Sequence, residues 1–116
     1  MTRSRLIGRW RIVEMDLWDP DALDLVVPAY FEFDDRGRGR FAFIAVEGDL
    51  DCRYIDVDRR ARVDFTWEGD DEGDARSGRG WAELESDGSL RGHFFFHAGD
   101  DSGFLAAPDA GKSSRG

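Results

Sequence analysis

The chain has 116 residues, of which 25 are acidic and 16 basic, and its formal net charge is −9. This length suits one domain of ordinary size. The negative charge repels phosphate backbones, and no stretch approaches the roughly 20 apolar residues of a membrane span, so we expect neither nucleic acid nor a membrane as a partner. Aromatic residues make up 13% of the chain, enough to build a core without a disulfide or a metal.

The number of cysteines indicates the cellular compartment, and the presence or absence of known motifs indicates whether a cofactor is bound. Cys52 is the only cysteine, which indicates a reducing, cytoplasmic setting. The N-terminal segment carries no apolar run typical of a signal peptide. No P-loop, nucleophile elbow or dinucleotide fingerprint occurs, so we expect no cofactor. We expect residues 1–108 to form one domain and residues 109–116, which are small and polar, to form a disordered tail.

Taken in chain order, short apolar stretches alternate with Asp- and Gly-rich turns about every ten residues, which predicts an all-β domain. One short helical signal interrupts them. Asp19 is a favourable N-cap, Pro20 suits the first helical position, and Pro28 ends the segment. The eight predicted strands lie near residues 6–15, 29–34, 38–46, 50–57, 61–68, 79–85, 89–98 and 102–107.

Turn chemistry predicts which residues face each other across neighbouring strands. A three-residue loop closed by a left-handed glycine at 86–88 places apolar residues opposite apolar residues, whereas a two-residue turn would mix the two faces. We extend this rule to the other hairpins. The predicted three-residue loops are Asp35-Arg36-Gly37, Glu47-Gly48-Asp49, Asp58-Arg59-Arg60 and Ser86-Asp87-Gly88.

Consecutive hairpins form an antiparallel up-and-down meander. Closing the meander removes the exposed strand edges that a long aromatic sheet would offer to aggregation. The sequence therefore predicts a small closed barrel of about eight strands. A two-sheet sandwich is the alternative, because register determines which strands are neighbours but not whether the sheet closes.

The first predicted strand carries Gly8-Arg9-Trp10. This motif resembles the Gly-x-Trp signature of lipocalin-like, calycin-type barrels, in which the Trp plugs one end. The resemblance implies a barrel whose interior binds a small, mostly apolar ligand. The chain is shorter than those proteins and lacks their usual secretory signal.

The span from Gly8 to Phe104 also resembles a group of small uncharacterised bacterial proteins. This second resemblance covers most of the chain and implies no mechanism. The stretches that carry it are Trp18-Asp19, Asp24-Leu25, Pro28-Ala29, Asp51-Cys52-Arg53-Tyr54, Ser77-Gly78-Arg79-Gly80-Trp81 and the run from Phe95 to Phe104.

The predicted registers place Asp51 and Arg53 on the sheet face that carries Phe43, Phe65 and Trp67. A charged pair among aromatic rings is costly to bury unless it is satisfied. One interpretation is that the pair anchors a ligand bearing a carboxylate or amide while the rings hold the rest. The alternative is a half-solvated ion pair at the barrel mouth with a structural role only.

The opposite face of the same strands is also apolar, and a sheet that is apolar on both faces needs a second cover. Segment 19–28 could supply it, and so could a second copy of the chain. A further aromatic patch arises because Trp81 is predicted to pair with His93. We therefore predict a homodimer or protein-interaction interface. Its predicted residues are Ile44, Val46, Leu50, Tyr54, Trp81, His93 and Phe95.

The two histidines are four residues apart on one predicted strand. His93 and His97 would stand roughly 13 Å apart, too far to share one metal ion, so we predict no metal site. Asp100 and Asp101 lie in the turn after His97 and could form an acid–base group with it. Because turns use Asp for backbone reasons as well, we predict no catalytic residues.

Three functions follow from these patterns. The first is non-catalytic binding of a small apolar or amphipathic ligand inside an aromatic-lined barrel. The second is self-association or protein interaction through an apolar outer sheet face. The third is a hydrolytic or acid–base enzyme that uses His97 with Asp100 or Asp101.

Overall fold

Alternating inward apolar and outward polar residues run through eight antiparallel strands in the computed structural model, which describes residues 5–109. Each strand pairs with the next along the chain, and the last pairs with the first, so the sheet closes into one barrel. The predicted up-and-down barrel is confirmed, and the sandwich is excluded. The elements are β1 (Gly8–Met15), α1 (Pro20–Leu23), β2 (Tyr30–Phe33), β3 (Arg38–Phe43), β4 (Val46–Val57), β5 (Arg60–Asp71), β6 (Asp74–Leu84), β7 (Leu90–Phe96) and β8 (Asp101–Pro108).

Two of the predicted three-residue loops set the register as expected. Phe31 pairs with Phe41 around the loop at 35–37, and the loop at 86–88 aligns β6 with β7 in the predicted way. The glycine that closes each loop has a φ of 82° or 91°. That left-handed region favours glycine because it has no Cβ.

The turn between β3 and β4 lies at Ile44-Ala45, so the predicted loop at 47–49 is wrong. Ile44 has a φ of 55°, which a β-branched residue rarely adopts, and the dipeptide therefore gives no turn signal. Gly48 lies inside β4 instead, where a Cβ atom would stand 2.3 Å from the carbonyl oxygen of Glu68. Glycine is needed here for the close approach of two strands.

The turn between β4 and β5 also has two residues, so the predicted three-residue loop at 58–60 is wrong. Asp58 and Arg59 have φ values of 50° and 69°, as in a type I′ turn. The registers on both sides of β4 thus differ from the prediction by an odd number of residues. An odd shift turns every side chain to the other face.

The inner face of the barrel is filled by its own aromatic rings. Each has at most 5% of its surface exposed, and neighbouring ring centroids lie as close as 4.7 Å. Packing at this distance brings the rings into contact. The inner rings are Phe31, Phe33, Phe41, Phe43, Phe65, Trp67, Phe94 and Phe104.

The end of the barrel at which β1 begins is closed by Trp10. Its ring is 5% exposed, and its Nε1 donates a hydrogen bond to the Leu6 carbonyl oxygen at 3.0 Å. This closed end and the eight-stranded meander are consistent with the lipocalin-like barrel that Gly8-Arg9-Trp10 implies.

At the C-terminal end of the described chain, the backbone N–H of Asp109 donates to the Arg9 carbonyl oxygen at 3.1 Å. The rest of the predicted tail, residues 110–116, lies outside the described residues. The helical part of residues 5–109 includes no helix with the length and apolar character needed to cross a membrane.

Candidate functional site

The β5–β6 hairpin extends past the second end of the barrel. β7 ends at Phe96, which pairs with Gly78, while β5 and β6 continue to a two-residue turn at Glu72-Gly73. We call residues 69–76 the tongue. This acidic stretch is therefore strand on both sides of a tight turn. The tongue pairs with the start of β4 on one edge only.

A cleft of about 840 Å³ separates the tongue from the second end of the barrel, and we call it the mouth cleft. Its floor is aromatic. The ring of Trp18 lies 5.7 Å from that of Phe43 and 6.4 Å from that of Phe96. Arg76 lies on the tongue side of the cleft, and His97 lies on the β7–β8 turn.

The segment that follows β1 holds Trp18 across this end of the barrel. The backbone N–H of Leu17 donates to the buried Ser102 hydroxyl at 3.2 Å. Further along, the Leu23 carbonyl oxygen accepts a hydrogen bond from the Ile44 N–H at 2.8 Å, and the Leu23 side chain is 1% exposed. Trp18 is thus fixed between two anchored points and is half-buried.

Asp51 and Arg53 lie on the outer face of β4, so their predicted placement among the aromatic rings is wrong. They pair with each other at 2.9 Å, and their side chains are 63% and 70% exposed. The reason is the register of β4, which turns Leu50 and Cys52 inward instead.

The three predicted aromatic ligand-binding residues are all buried, but only one reaches the mouth cleft. Phe43 forms part of its floor. Phe65 and Trp67 belong to the filled interior, and the Trp67 Nε1 donates to the Phe95 carbonyl oxygen at 3.0 Å. Whether any of them binds a ligand remains a prediction.

The predicted interface residues do not share one surface. Val46 and Leu50 point into the barrel and are 4% and 3% exposed, so their predicted place on an outer face is wrong for the same register reason. Ile44 and Tyr54 are half-buried at the two ends of the barrel. The Tyr54 hydroxyl donates to the Asp34 carbonyl oxygen at 2.7 Å.

Trp81, His93 and Phe95 do lie together on the outer face of β6 and β7, and we call them the outer patch. Trp81 pairs with His93 as predicted, and the rings of His93 and Phe95 are 4.7 Å apart. Two guanidinium groups cover the patch: Arg62 lies 4.6 Å from the Trp81 ring centre and Arg79 lies 4.1 Å from that of Phe95.

Arg62 is held in place on the outer face by carboxylates on two strands. It pairs with Asp64 at 3.0 Å and with Glu83 at 2.9 Å. Partial burial opposes its charge, but these two hydrogen bonds outweigh that effect and raise the pKa of Arg62 above its ordinary value.

The predicted acid–base group does not form in the expected way. The Asp101 carboxylate lies 2.5 Å from the Nε2 of His93 and not beside His97. His97 is exposed, and its backbone N–H donates to the Ser77 carbonyl oxygen at 2.7 Å. Among residues 5–109, no three or more His, Cys, Asp or Glu side chains are grouped so as to hold a metal ion.

Sequence reasoning missed Trp18, Phe96 and Arg76 as site residues. A signal for Arg76 was present, because a glycine such as Gly73 between two polar stretches is typical of a hairpin turn. With Glu72-Gly73 assigned as such a turn, Arg76 falls opposite Gly69, on the face that continues the barrel interior. Trp18 lies in an irregular segment and gives no comparable signal.

Comparison with protein-family models, curated proteins and solved structures finds no match to this chain. The function is therefore argued from the site. The mouth cleft combines an aromatic floor with a few polar groups at its rim, which is the usual composition of a small-molecule binding site.

Proposed function

We propose that the protein is a non-catalytic, cytoplasmic binding protein that holds a small apolar or amphipathic molecule in the mouth cleft. The volume of the cleft, about 840 Å³, lies within the range of roughly 300–1,000 Å³ that small-molecule sites occupy. The observation that carries the proposal is the half-buried ring of Trp18, which packs on Phe43 and Phe96 and leaves part of its surface facing the cleft.

The filled interior directs the ligand to the mouth and not between the inner rings. Phe31 and Phe94 have no exposed surface, and Phe41 has 1%. A ligand among them would have to displace a ring at a cost of several kcal/mol. At the mouth, the half-buried rings of Trp18 and Phe96 present an apolar surface that a ligand covers without displacing a ring.

Titration with N-phenylnaphthylamine, a neutral apolar fluorophore, tests this proposal. We expect one probe per chain, quenching of tryptophan emission, and an affinity about tenfold lower in Trp18→Ala, equivalent to about 1.4 kcal/mol of lost contact. Trp81→Ala is the matched control, because Trp81 is also half-buried but lies on the outer face. Near-ultraviolet circular dichroism checks that both variants keep the native fold.

The proposal is wrong if the wild-type protein does not bind the probe. It is also wrong if Trp18→Ala and Trp81→Ala bind the probe as tightly as the wild type does. Equal weakening in both variants would likewise count against the mouth cleft, since it would indicate a general loss of structure.

A second candidate function is self-association through the outer patch. Trp81 and Phe95 are half-buried, adjoin each other through His93, and face away from the barrel. Trp and Arg side chains, such as Trp81 and the Arg62 above it, are enriched at interface centres. Sedimentation velocity over a hundredfold concentration range tests it. We expect a dimer that Trp81→Ala weakens and Trp18→Ala does not; a monomer at every concentration rules it out.

A further inference from the structure

We infer that the ligand of the mouth cleft carries a single acidic group, a carboxylate or sulfonate, and that Arg76 binds it. This inference rests on the proposed function and names the class of ligand. It predicts an aromatic or other flat apolar body that lies on Trp18 and Phe96, with the acid turned toward the tongue.

The register of the tongue places Arg76 on the concave side of the cleft. Trp67 points into the barrel, and strand alternation puts Gly69 on the same face. Arg76 is the cross-strand partner of Gly69. A Cβ atom at Gly69 would stand 1.9 Å from the Glu47 carbonyl oxygen, so this glycine allows β4 and β5 to approach closely. Arg76 lines the cleft together with Trp18 and Phe96.

Arg76 forms no ion pair with a described residue, unlike Arg53 and Arg62 on the outer face. Within residues 5–109, no carboxylate oxygen lies within 4.0 Å of its guanidinium. Arg53 and Arg62, by contrast, are paired at 2.9 Å and 3.0 Å. The Arg76 guanidinium therefore keeps its full set of donors for an anion, which it can bind in the two-pronged way that carboxylates and sulfonates favour.

The other charges around the cleft limit the ligand to one negative charge. Asp71 and Asp100 also line it, and the chain as a whole carries a net charge of −9. A polyanion such as a nucleoside triphosphate would meet this repulsion with only one guanidinium to offset it. Glu68, the remaining acidic lining residue, follows the inward Trp67 and so points to the outer face.

Two fluorophores that share one apolar body test the inference. Anilinonaphthalene sulfonate carries one negative charge, and N-phenylnaphthylamine is its neutral counterpart. We expect the sulfonate to bind the wild-type protein more tightly, and Arg76→Gln to weaken the sulfonate about tenfold while leaving the neutral probe unchanged. Arg91→Gln is the matched control, because Arg91 is an exposed arginine on β7, next to the outer patch.

The possible outcomes separate this inference from the proposed function. If both probes bind equally and Arg76→Gln changes neither, the site binds apolar molecules and the inference is wrong. If Arg91→Gln weakens the sulfonate as much as Arg76→Gln does, the effect is general electrostatics and the inference is again wrong. If neither probe binds, the proposed function fails together with it.

Discussion

Asp51 and Cys52 are neighbours in β4 and lie on opposite sides of the sheet. The Asp51 side chain is 63% exposed, whereas Cys52 is 4% exposed and packs in the core. Burial raises the pKa of the Cys52 thiol to about 12 from an ordinary value of 9.0, because the low-polarity surroundings disfavour the thiolate. The only cysteine of the chain is thus an inert core residue.

Cys52 is expected to resist modification while the protein is folded. At pH 8 the raised pKa lowers the thiolate fraction by about a thousandfold, and only the thiolate reacts. We expect a chromogenic aromatic disulfide to label the native protein at least about a hundredfold more slowly than the protein in guanidinium chloride. Comparable rates in the two states would contradict the burial of this side chain.

The same pKa shift has a defined sign for stability. Below pH 9.0 both folded and unfolded chains keep the Cys52 proton. As the pH rises from 9 toward 12, only the unfolded chain loses it, so unfolding becomes more favourable. The difference in unfolding free energy between the wild type and Cys52→Ala should therefore shrink over this range in urea titrations. A constant difference would argue against the shift.

At the scale of elements, the turns on either side of β4 decide which of its residues face inward. Ile44-Ala45 and Asp58-Arg59 both carry positive φ at residues other than glycine. A left-handed conformation costs such residues roughly 1–2 kcal/mol. These turns persist because the paired strands on both sides, with inward Leu50 and Cys52, stabilise the register more than the turn residues destabilise it.

Arg59→Gly should stabilise the protein. Arg59 has a φ of 69°, and Asp-Gly is a preferred sequence for a type I′ turn, so we expect the free energy of unfolding to rise by about 0.5–1 kcal/mol. Arg36→Gly is the control in a three-residue loop, at a position without positive φ, where glycine should cost about 0.5–1 kcal/mol. Urea unfolding measures both. A loss of stability in Arg59→Gly would contradict the two-residue turn.

At the scale of the whole molecule, the barrel is a packed core and not an empty container. The Phe94 ring lies within 6.1 Å of those of Phe31, Phe41 and Trp67, and it has no exposed surface. Strands from all around the barrel thus contribute to one ring cluster. The accessible cleft lies outside this cluster, where the tongue extends past the end of β7.

Phe94→Ala should cost about 3–5 kcal/mol in unfolding free energy, because it removes a fully buried ring and leaves a cavity. Phe95→Ala, at the next position but facing outward, should cost only about 1 kcal/mol, since its ring is half-buried. Benzene should bind Phe94→Ala and not the wild type, as measured by nuclear magnetic resonance. Benzene binding inside the wild-type barrel would contradict the filled interior.

Much of the fold could be predicted from local sequence. Short alternating stretches and glycine-closed loops such as the one at 35–37 predicted eight strands in a meander. These features depend on neighbouring residues alone, since side-chain alternation and glycine's left-handed freedom are properties of the local chain. The number of apolar and aromatic residues available for the core likewise follows from the composition.

The site could be predicted only in part. Phe43 was assigned to it, but Asp51 and Arg53 were placed on the wrong face, because Gly48 was interpreted as a turn glycine when it allows two strands to approach closely. That contact joins β4 to β5 across the sheet. It is a tertiary contact, and the sequence of the hairpin alone carries no signal for it.

By itself, the sequence determined an acidic, aromatic-rich antiparallel meander and favoured a closed barrel over a sandwich; the closure itself is a finding of the structure. Only the tertiary structure decided that the rings fill the interior, that β4 turns Cys52 inward, and that Arg76 and Trp18 line one cleft. The physical reason is that strand pairing has a period of two residues. A register shift of one residue between two strands therefore moves every side chain of the shifted strand to the other face of the sheet. For β4 the register depends on contacts with residues distant in sequence, so the local sequence pattern does not predict it.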